Sequence, residues 1–310
     1  MPASTIASTS LTVKPLSDAL GADVEGVDLA RIDAATFAQI SRAWADHLVL
    51  RFRRQRLSDV ELMAFSRRFG ELDRVPVRAS NVMAVDDPRI VIDPAAREYV
   101  TVISNVKIGG VAIGGLGNYE AHWHTDMSYN DTPPDASLLY GIEVPPSGGD
   151  TSFCNMYRAY DTLAAEMKAL IADLSCIHDA SRNSSGELRR GFSDHADPTQ
   201  TVGARHPLVR LHPVTKRACL FLGRRRNAYI PGLPLDESEW LLDELWQHAT
   251  QDRFSWTQRW QQHDLVIWDN RCAMHRRDGF DDRHARVMHR AQVVGTKPVR
   301  FGSDGSSTQR

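Results

Sequence analysis

Apolar residues recur at helical spacing in four stretches of the chain. Across 33–47, Phe37, Ile40 and Trp44 share one helix face. Ser58-Asp59-Val60-Glu61 sets a hydroxyl three residues ahead of an acid, a capping box that opens a helix for Gly70 to close. Across 155–174, Leu163, Met167, Leu170, Ile171 and Leu174 predict one long helix, and Asp236 caps a run carrying Trp240, Leu241, Leu245 and Trp246. Elsewhere short apolar runs lie between turn residues, at 47–52, 137–144, 207–212, 218–222, 264–268 and 286–294. Strands without regular helical crossovers predict antiparallel sheets. The expected class is mainly β with flanking α, a sandwich or jelly roll. No composition shift divides the chain, so a single domain is expected over 11–299, between disordered ends at 1–10 and 300–310. The segment 181–204 reads as an irregular surface insertion.

Composition narrows the partners. The 310 residues are 42% hydrophobic and 25% charged, an ordinary globular balance. No apolar run is long enough to span a membrane, and the N-terminus lacks the basic start and apolar core of a secretory signal, so a cytoplasmic location is expected. A formal net charge of −2 provides no global field for nucleic acid or an anionic membrane. Cys154, Cys176, Cys219 and Cys272 stand singly and read as buried thiols in a reducing compartment. Five lysines (Lys14, Lys107, Lys168, Lys216, Lys297) leave 32 of the 37 cations as arginine. Most of that excess is codon background. A few arginines are candidates for planar forks that grip carboxylates.

His124-Thr125-Asp126 is the first chemical candidate, although a bare His-x-Asp is expected by chance. A second copy, His195-Ala196-Asp197, precedes Pro198 in a polar stretch and reads as a solvated loop. The first copy lies in an alternating aromatic segment, 122–129. On a strand, residues two apart share a face, so His124 and Asp126 would project together. An imidazole beside a carboxylate suits a divalent metal, and a third ligand would complete a facial triad for non-haem Fe(II). His275 follows the apolar run at 264–268 and is placed just past a buried strand.

At this point the chain resembles the TauD/TfdA family of Fe(II)- and 2-oxoglutarate-dependent dioxygenases. The resemblance runs over roughly 11–299. It is carried by Gly21-Ala22-Asp23-Val24-Glu25-Gly26-Val27-Asp28, Phe69-Gly70-Glu71-Leu72, Gly114-Gly115-Leu116-Gly117 and Trp123-His124-Thr125-Asp126. Further on come Gly148-Gly149-Asp150-Thr151, His206-Pro207, His212-Pro213, Trp268-Asp269-Asn270-Arg271, His275 and 286–290. It implies a double-stranded β-helix (jelly-roll) barrel, with His124, Asp126 and His275 as Fe(II) ligands. It also implies that Arg286 and Thr151 hold the distal carboxylate of 2-oxoglutarate and that Arg290 binds an anionic group of the substrate. The implied reaction consumes O2 and 2-oxoglutarate, releases succinate and CO2, and hydroxylates a substrate C–H, cleaving the molecule where that carbon bears a heteroatom. Dimers or tetramers are common forms of such chains; the residues do not choose between them.

The residues agree with that chemistry. Arg286 and Arg290 are four apart, so on one strand both face inward and His289 faces the other way. Surface salt bridges are the expectation for Arg224, Arg225, Arg226, Arg276 and Arg277. The glycine-rich stretch 105–119 reads as a lid-like loop over the site. Where taurine enzymes carry a His and a Tyr after the Phe-Gly segment, this chain has Val75 and Arg78. Glu120 stands where they carry an Asn. These departures speak against taurine and leave Val75, Arg78, Glu120 and Arg290 as substrate-binding candidates. A small organic anion is expected, a carboxylate first and a sulfonate or sulfate ester second. The alternatives are a jelly roll that binds metal or a small acid without turnover, and a zinc hydrolase, which would leave Arg286 and Thr151 unexplained.

Overall fold

Alternation along one strand, Leu265–Asp269, builds two cores at once. Val266 and Trp268 point to one side, where they pack with Phe153, Met274 and Met288. Leu265 and Ile267 point to the other, against Ile40, Leu50, Phe52 and Leu62. Every residue of the strand is buried, and each large apolar side chain so covered contributes about 1.5–3 kcal/mol. The computed structural model describes residues 11–75, 87–117, 121–194 and 197–302.

The large sheet has eight strands, in the order Thr12–Pro15, Ala22–Glu25, Val49–Phe52, Leu265–Asp269, Ala136–Glu143, Val287–Val293, Thr101–Ser104 and Gly115–Leu116. A four-stranded sheet, Ser255–Gln258, Thr151–Asn155, Ala273–Arg277 and Ala121–His124, faces it. The rings of Phe153 and Trp268 meet across the interface with centroids 5.4 Å apart. Helices Ala34–His47 and Asp59–Ser66 cover the far side of the large sheet. Leu235–Ala249 packs on the core between the sheets. The chain is thus mainly β with flanking helices, and its pairings are antiparallel except at Ala22–Glu25 with Val49–Phe52 and at Thr101–Ser104 with Gly115–Leu116. Among the described residues, no helix is long and apolar enough to cross a membrane.

Local chemistry explains where the elements start and stop. Both halves of the Ser58–Glu61 capping box form, and Gly70 ends the following turn at φ 153°. The expected single helix over 155–174 is two, Met156–Asp161 and Ala165–Ile171. Thr162 turns its hydroxyl back to the Arg158 carbonyl at 2.8 Å, and Ala164 is extended, which breaks the run. The last long helix starts after Pro234, so Asp236 lies in its first turn and is not its cap. The expected disordered ends fall mostly outside the described residues, but Arg300 belongs to a strand. Val299–Arg300 pairs with Val209–Leu211, and Arg300 donates to the Ala172 carbonyl at 2.6 Å.

Candidate active site

His124 ends its strand and Asp126 lies beyond it, in a turn where Met127 takes φ 45°. The expectation that strand periodicity would align the pair is therefore corrected: the turn, not the pleat, swings the carboxylate back. The Thr125 amide donates to the Gly223 carbonyl at 3.2 Å and fixes that turn. His275 does follow the buried strand Leu265–Asp269, and it lies on a strand of its own, Ala273–Arg277, in register opposite His124. The two imidazole rings lie 4.2 Å apart. Asp126 Oδ1 is 3.7 Å from His124 Nε2 and 3.8 Å from His275 Nε2. The ligand atoms of the three buried residues converge within 4.8 Å, a set that can hold a metal ion.

Protonation suits ligation. His124 donates Nδ1–H to the His122 carbonyl at 2.7 Å, which leaves the Nε2 lone pair facing inward. Burial, then the neighbouring His124, pushes the His275 pKa down to about 3, so its imidazole is neutral. Burial opposes charge on Asp126, but His275, His124 and Arg290 together hold it below the ordinary carboxylate range. Its other oxygen, Oδ2, accepts from Ser137 at 2.6 Å and from Gln292 at 3.4 Å. Asn270 donates to Ser137 at 3.0 Å and accepts from the Trp268 indole at 2.9 Å. Asp126 is thus aimed by a chain of buried polar groups that starts in the core. Sequence reasoning missed Ser137 and Gln292. The signal for Gln292 was present, since 286, 290 and 292 share one strand parity.

Arg286 and Arg290 do face inward. His289, between them, points the opposite way and bonds Asp59 at 2.6 Å. Arg286 is 2% exposed, and its Nε and Nη2 have no hydrogen-bond partner among the described residues. Burial, then Arg277, pushes its pKa down to about 9. Its guanidinium lies 5.8 Å from the Trp260 ring, and the Trp260 indole donates to Thr151 Oγ1 at 3.0 Å. A Cβ on Gly149 would sit 3.1 Å from Arg286 Cδ, so only glycine leaves this corner free. A dry site with a buried guanidinium short of acceptors matches a bidentate carboxylate.

Arg290 Nη1 lies 3.8 Å from Asp126 Oδ1, and its Nε is buried without a partner among the described residues. It opens on a cavity of about 620 Å³ whose lining includes His124, Asp126, Val75 and Ile113. Val75 is therefore at the cavity, whereas Arg78, Glu120 and His195 lie outside the described residues. Asp197 caps a short turn through Thr199, as a loop residue would. Of the arginines expected at the surface, Arg225 pairs with Glu239 and Arg276 with Asp278. The expectation fails for Arg277, which is 6% exposed, and for Arg224, which lines the cavity. Both were misjudged because arginine-rich surroundings mask which chains turn inward.

A second convergence, His212, Asp269 and Cys272, is structural. Arg271 takes both Asp269 oxygens at 2.8 and 2.7 Å, which puts a guanidinium where a metal would need to sit.

Comparison with known proteins agrees with this geometry. The model of the family described as "Taurine catabolism dioxygenase TauD, TfdA family" matches residues 12–292. The chain is 33% identical to an alpha-ketoglutarate-dependent 2,4-dichlorophenoxyacetate dioxygenase of Cupriavidus pinatubonensis, over 92% of this chain and 98% of that one. It is 29% identical to an alpha-ketoglutarate-dependent sulfate ester dioxygenase of Pseudomonas putida, over 97% and 95%. The crystal structure of AAD-2 in complex with Mn(II) and N-oxalylglycine superposes with a TM-score of 0.74 at 32% identity, covering 94% of this chain and 99% of that one. The chain belongs to the TauD/TfdA family and is an alpha-ketoglutarate (2-oxoglutarate)-dependent dioxygenase.

Proposed function

We propose that the enzyme is an Fe(II)- and 2-oxoglutarate-dependent dioxygenase that hydroxylates a small organic anion, a carboxylate in the first instance, on a double-stranded β-helix. The observation that carries this reading is Arg286: a fully buried guanidinium with two unpartnered nitrogens, four residues before Arg290 on the face that meets the His-Asp-His group. Fe(II) with O2 and 2-oxoglutarate supplies an oxidant able to break a C–H bond, with release of succinate and CO2.

The chain's own residues bind and orient. His124 and the neutral His275 offer imidazole nitrogens, and Asp126, aimed by Ser137 and Gln292, offers one carboxylate oxygen. Arg286, with Thr151 beside it, takes the distal carboxylate of the cosubstrate as a two-point fork that lysine could not copy. Arg290 takes the anionic group of the substrate and so fixes which carbon faces the metal. Tyr99, Val111, Ile113 and Met127 give the cavity apolar walls that exclude water. The segment 105–119, of which the exposed pair Lys107–Ile108 and Val111–Ala112 is part, is the proposed cover. The relative bound to Mn(II) and N-oxalylglycine supports a metal and a dicarboxylate here. A sulfonate or sulfate ester is the second reading, favoured by the sulfate ester relative and by an Arg290 fork that fits either anion. The proposed setting is the cytoplasm, as a dimer or tetramer.

Anaerobic addition of Fe(II) and 2-oxoglutarate is expected to give a visible metal-to-ligand charge-transfer band. A succinate-release screen across carboxylates, sulfonates and sulfate esters then ranks the substrates. No band, together with ester hydrolysis supported by Zn(II), would overturn the reading.

A further inference from the structure

The cavity that Arg290 opens on is also lined by two cations, Arg189 and Arg224, that the reaction proposed above does not use. The backbone bond from Thr125 to Gly223, where φ is 69°, delivers Arg224 beside the metal-ligand turn. Arg224 donates Nη1 to the Arg182 carbonyl, but its Nε is buried and has no hydrogen-bond partner among the described residues. Arg189 reaches the same cavity. It donates Nη2 to the Tyr129 hydroxyl at 2.6 Å and lies 4.0 Å from that ring's centroid; Arg224 lies 5.8 Å from it.

Their neighbours are neutralised. Arg182 meets Asp194, and Arg225 meets Glu239 and Asp243. Among the described residues no acid forms an ion pair with Arg224 or Arg189. Burial, then Arg189, pushes the Arg224 pKa down, against the weaker pull of Tyr129, Asp126 and Asp179. Two acids line the cavity: Asp126 is committed to the metal group, and Asp73 forms no ion pair with either arginine among the described residues. A substrate with one anionic end would satisfy Arg290 and leave the half-buried Arg224 and Arg189 without an anion, which penalises it.

We propose that Arg224 and Arg189, set on Tyr129, form a second anion subsite, so that the preferred substrate carries two acidic groups separated by an apolar spacer. This rests on the functional reading above and names its substrate class. One acid meets Arg290, the other meets Arg224 and Arg189, and the spacer crosses the cavity past the metal.

The test uses the full chain loaded with Mn(II) and 2-oxoglutarate, titrated calorimetrically with 3- and 4-carboxyphenoxyacetate and with the matched 3- and 4-methylphenoxyacetates. At least one diacid is expected to bind about 10–100-fold more tightly than its methyl counterpart, the worth of one charge-assisted contact. Arg224→Met is expected to erase that ratio by weakening the diacid alone, and Arg224→Lys to keep part of it. Equal binding of each pair, binding of none of the four, or equal weakening of both classes by Arg224→Met overturns the subsite. Binding of 2-oxoglutarate to the wild-type chain with Mn(II), without any prime substrate, is read separately. Its failure counts against the dioxygenase site and not against the diacid preference.

Discussion

His124 and His275 face one another in register on neighbouring antiparallel strands, with ring centroids 4.2 Å apart and planes tilted by 47°. A sheet pairing therefore sets the spacing of two proposed metal ligands 151 residues apart, while the third, Asp126, arrives on a turn.

That division singles out Asp126. Asp126→Ala is expected to abolish metal binding, the charge-transfer band and succinate formation. Asp197→Ala, in the second His-x-Asp, is expected to leave all three unchanged. Equal losses in the two variants, measured by metal titration and succinate assay, would contradict the assignment.

Ser137 reaches the metal group through Asp126, and it also accepts from Asn270 and Gln292. Removing its 2.6 Å bond in Ser137→Ala is expected to weaken metal affinity about 10–100-fold, the usual effect of a lost outer partner. Thermal unfolding of the metal-free variant should show a cost of about 1.5–3 kcal/mol for the lost bond to a charged group. Unchanged metal affinity would remove Ser137 from the site.

The proposed reading divides the two anions between Arg286 and Arg290. Arg286→Ala is expected to raise the KM for 2-oxoglutarate by more than about 100-fold, from two lost charge-assisted bonds, with a smaller effect on the substrate. Arg290→Ala should do the reverse. Steady-state kinetics with each reactant varied in turn checks the split, and parallel changes in both constants would refute it.

The metal-free fold should be acid-sensitive. His178 is fully buried, neither ring nitrogen has a partner among the described residues, and burial, then His206, holds its pKa well below 6.5. The unfolded chain then binds the extra proton, so stability is full above pH 6.5 and falls as pH drops below it. His178→Phe is expected to flatten that decline in melting temperature between pH 7 and 4 (the working range for the scan). An unchanged slope would place the sensitivity elsewhere.

What the sequence made legible follows the range of the forces involved. The Ser58–Glu61 box is local and forms as read, whereas the Asp33 cap of Ala34–His47, equally local, was not read. The inward parity of Arg286 and Arg290 is also local, and it survives because Val287–Val293 is a continuous strand. The alignment of His124 with Asp126 came out right for the wrong reason: the strand stops at His124, and a long-range bond to Gly223 sets the turn. Arg224 could not be placed from its neighbours, because its position depends on that same contact across the fold. The family was recognisable because several short motifs recur in order, where any one alone is uninformative.

The strand Val287–Val293 is covered on both faces, by the site on one side and by Asp59 and the Arg89 carbonyl at His289 on the other. Its amides can exchange with solvent only when the two sheets separate. Deuterium uptake at 287–293 should therefore track global unfolding, while the exposed pair at 107–112 exchanges by local opening. Arg290 and Gln292 are then as rigid as the domain is stable, and any motion that admits substrate must come from the loops around them.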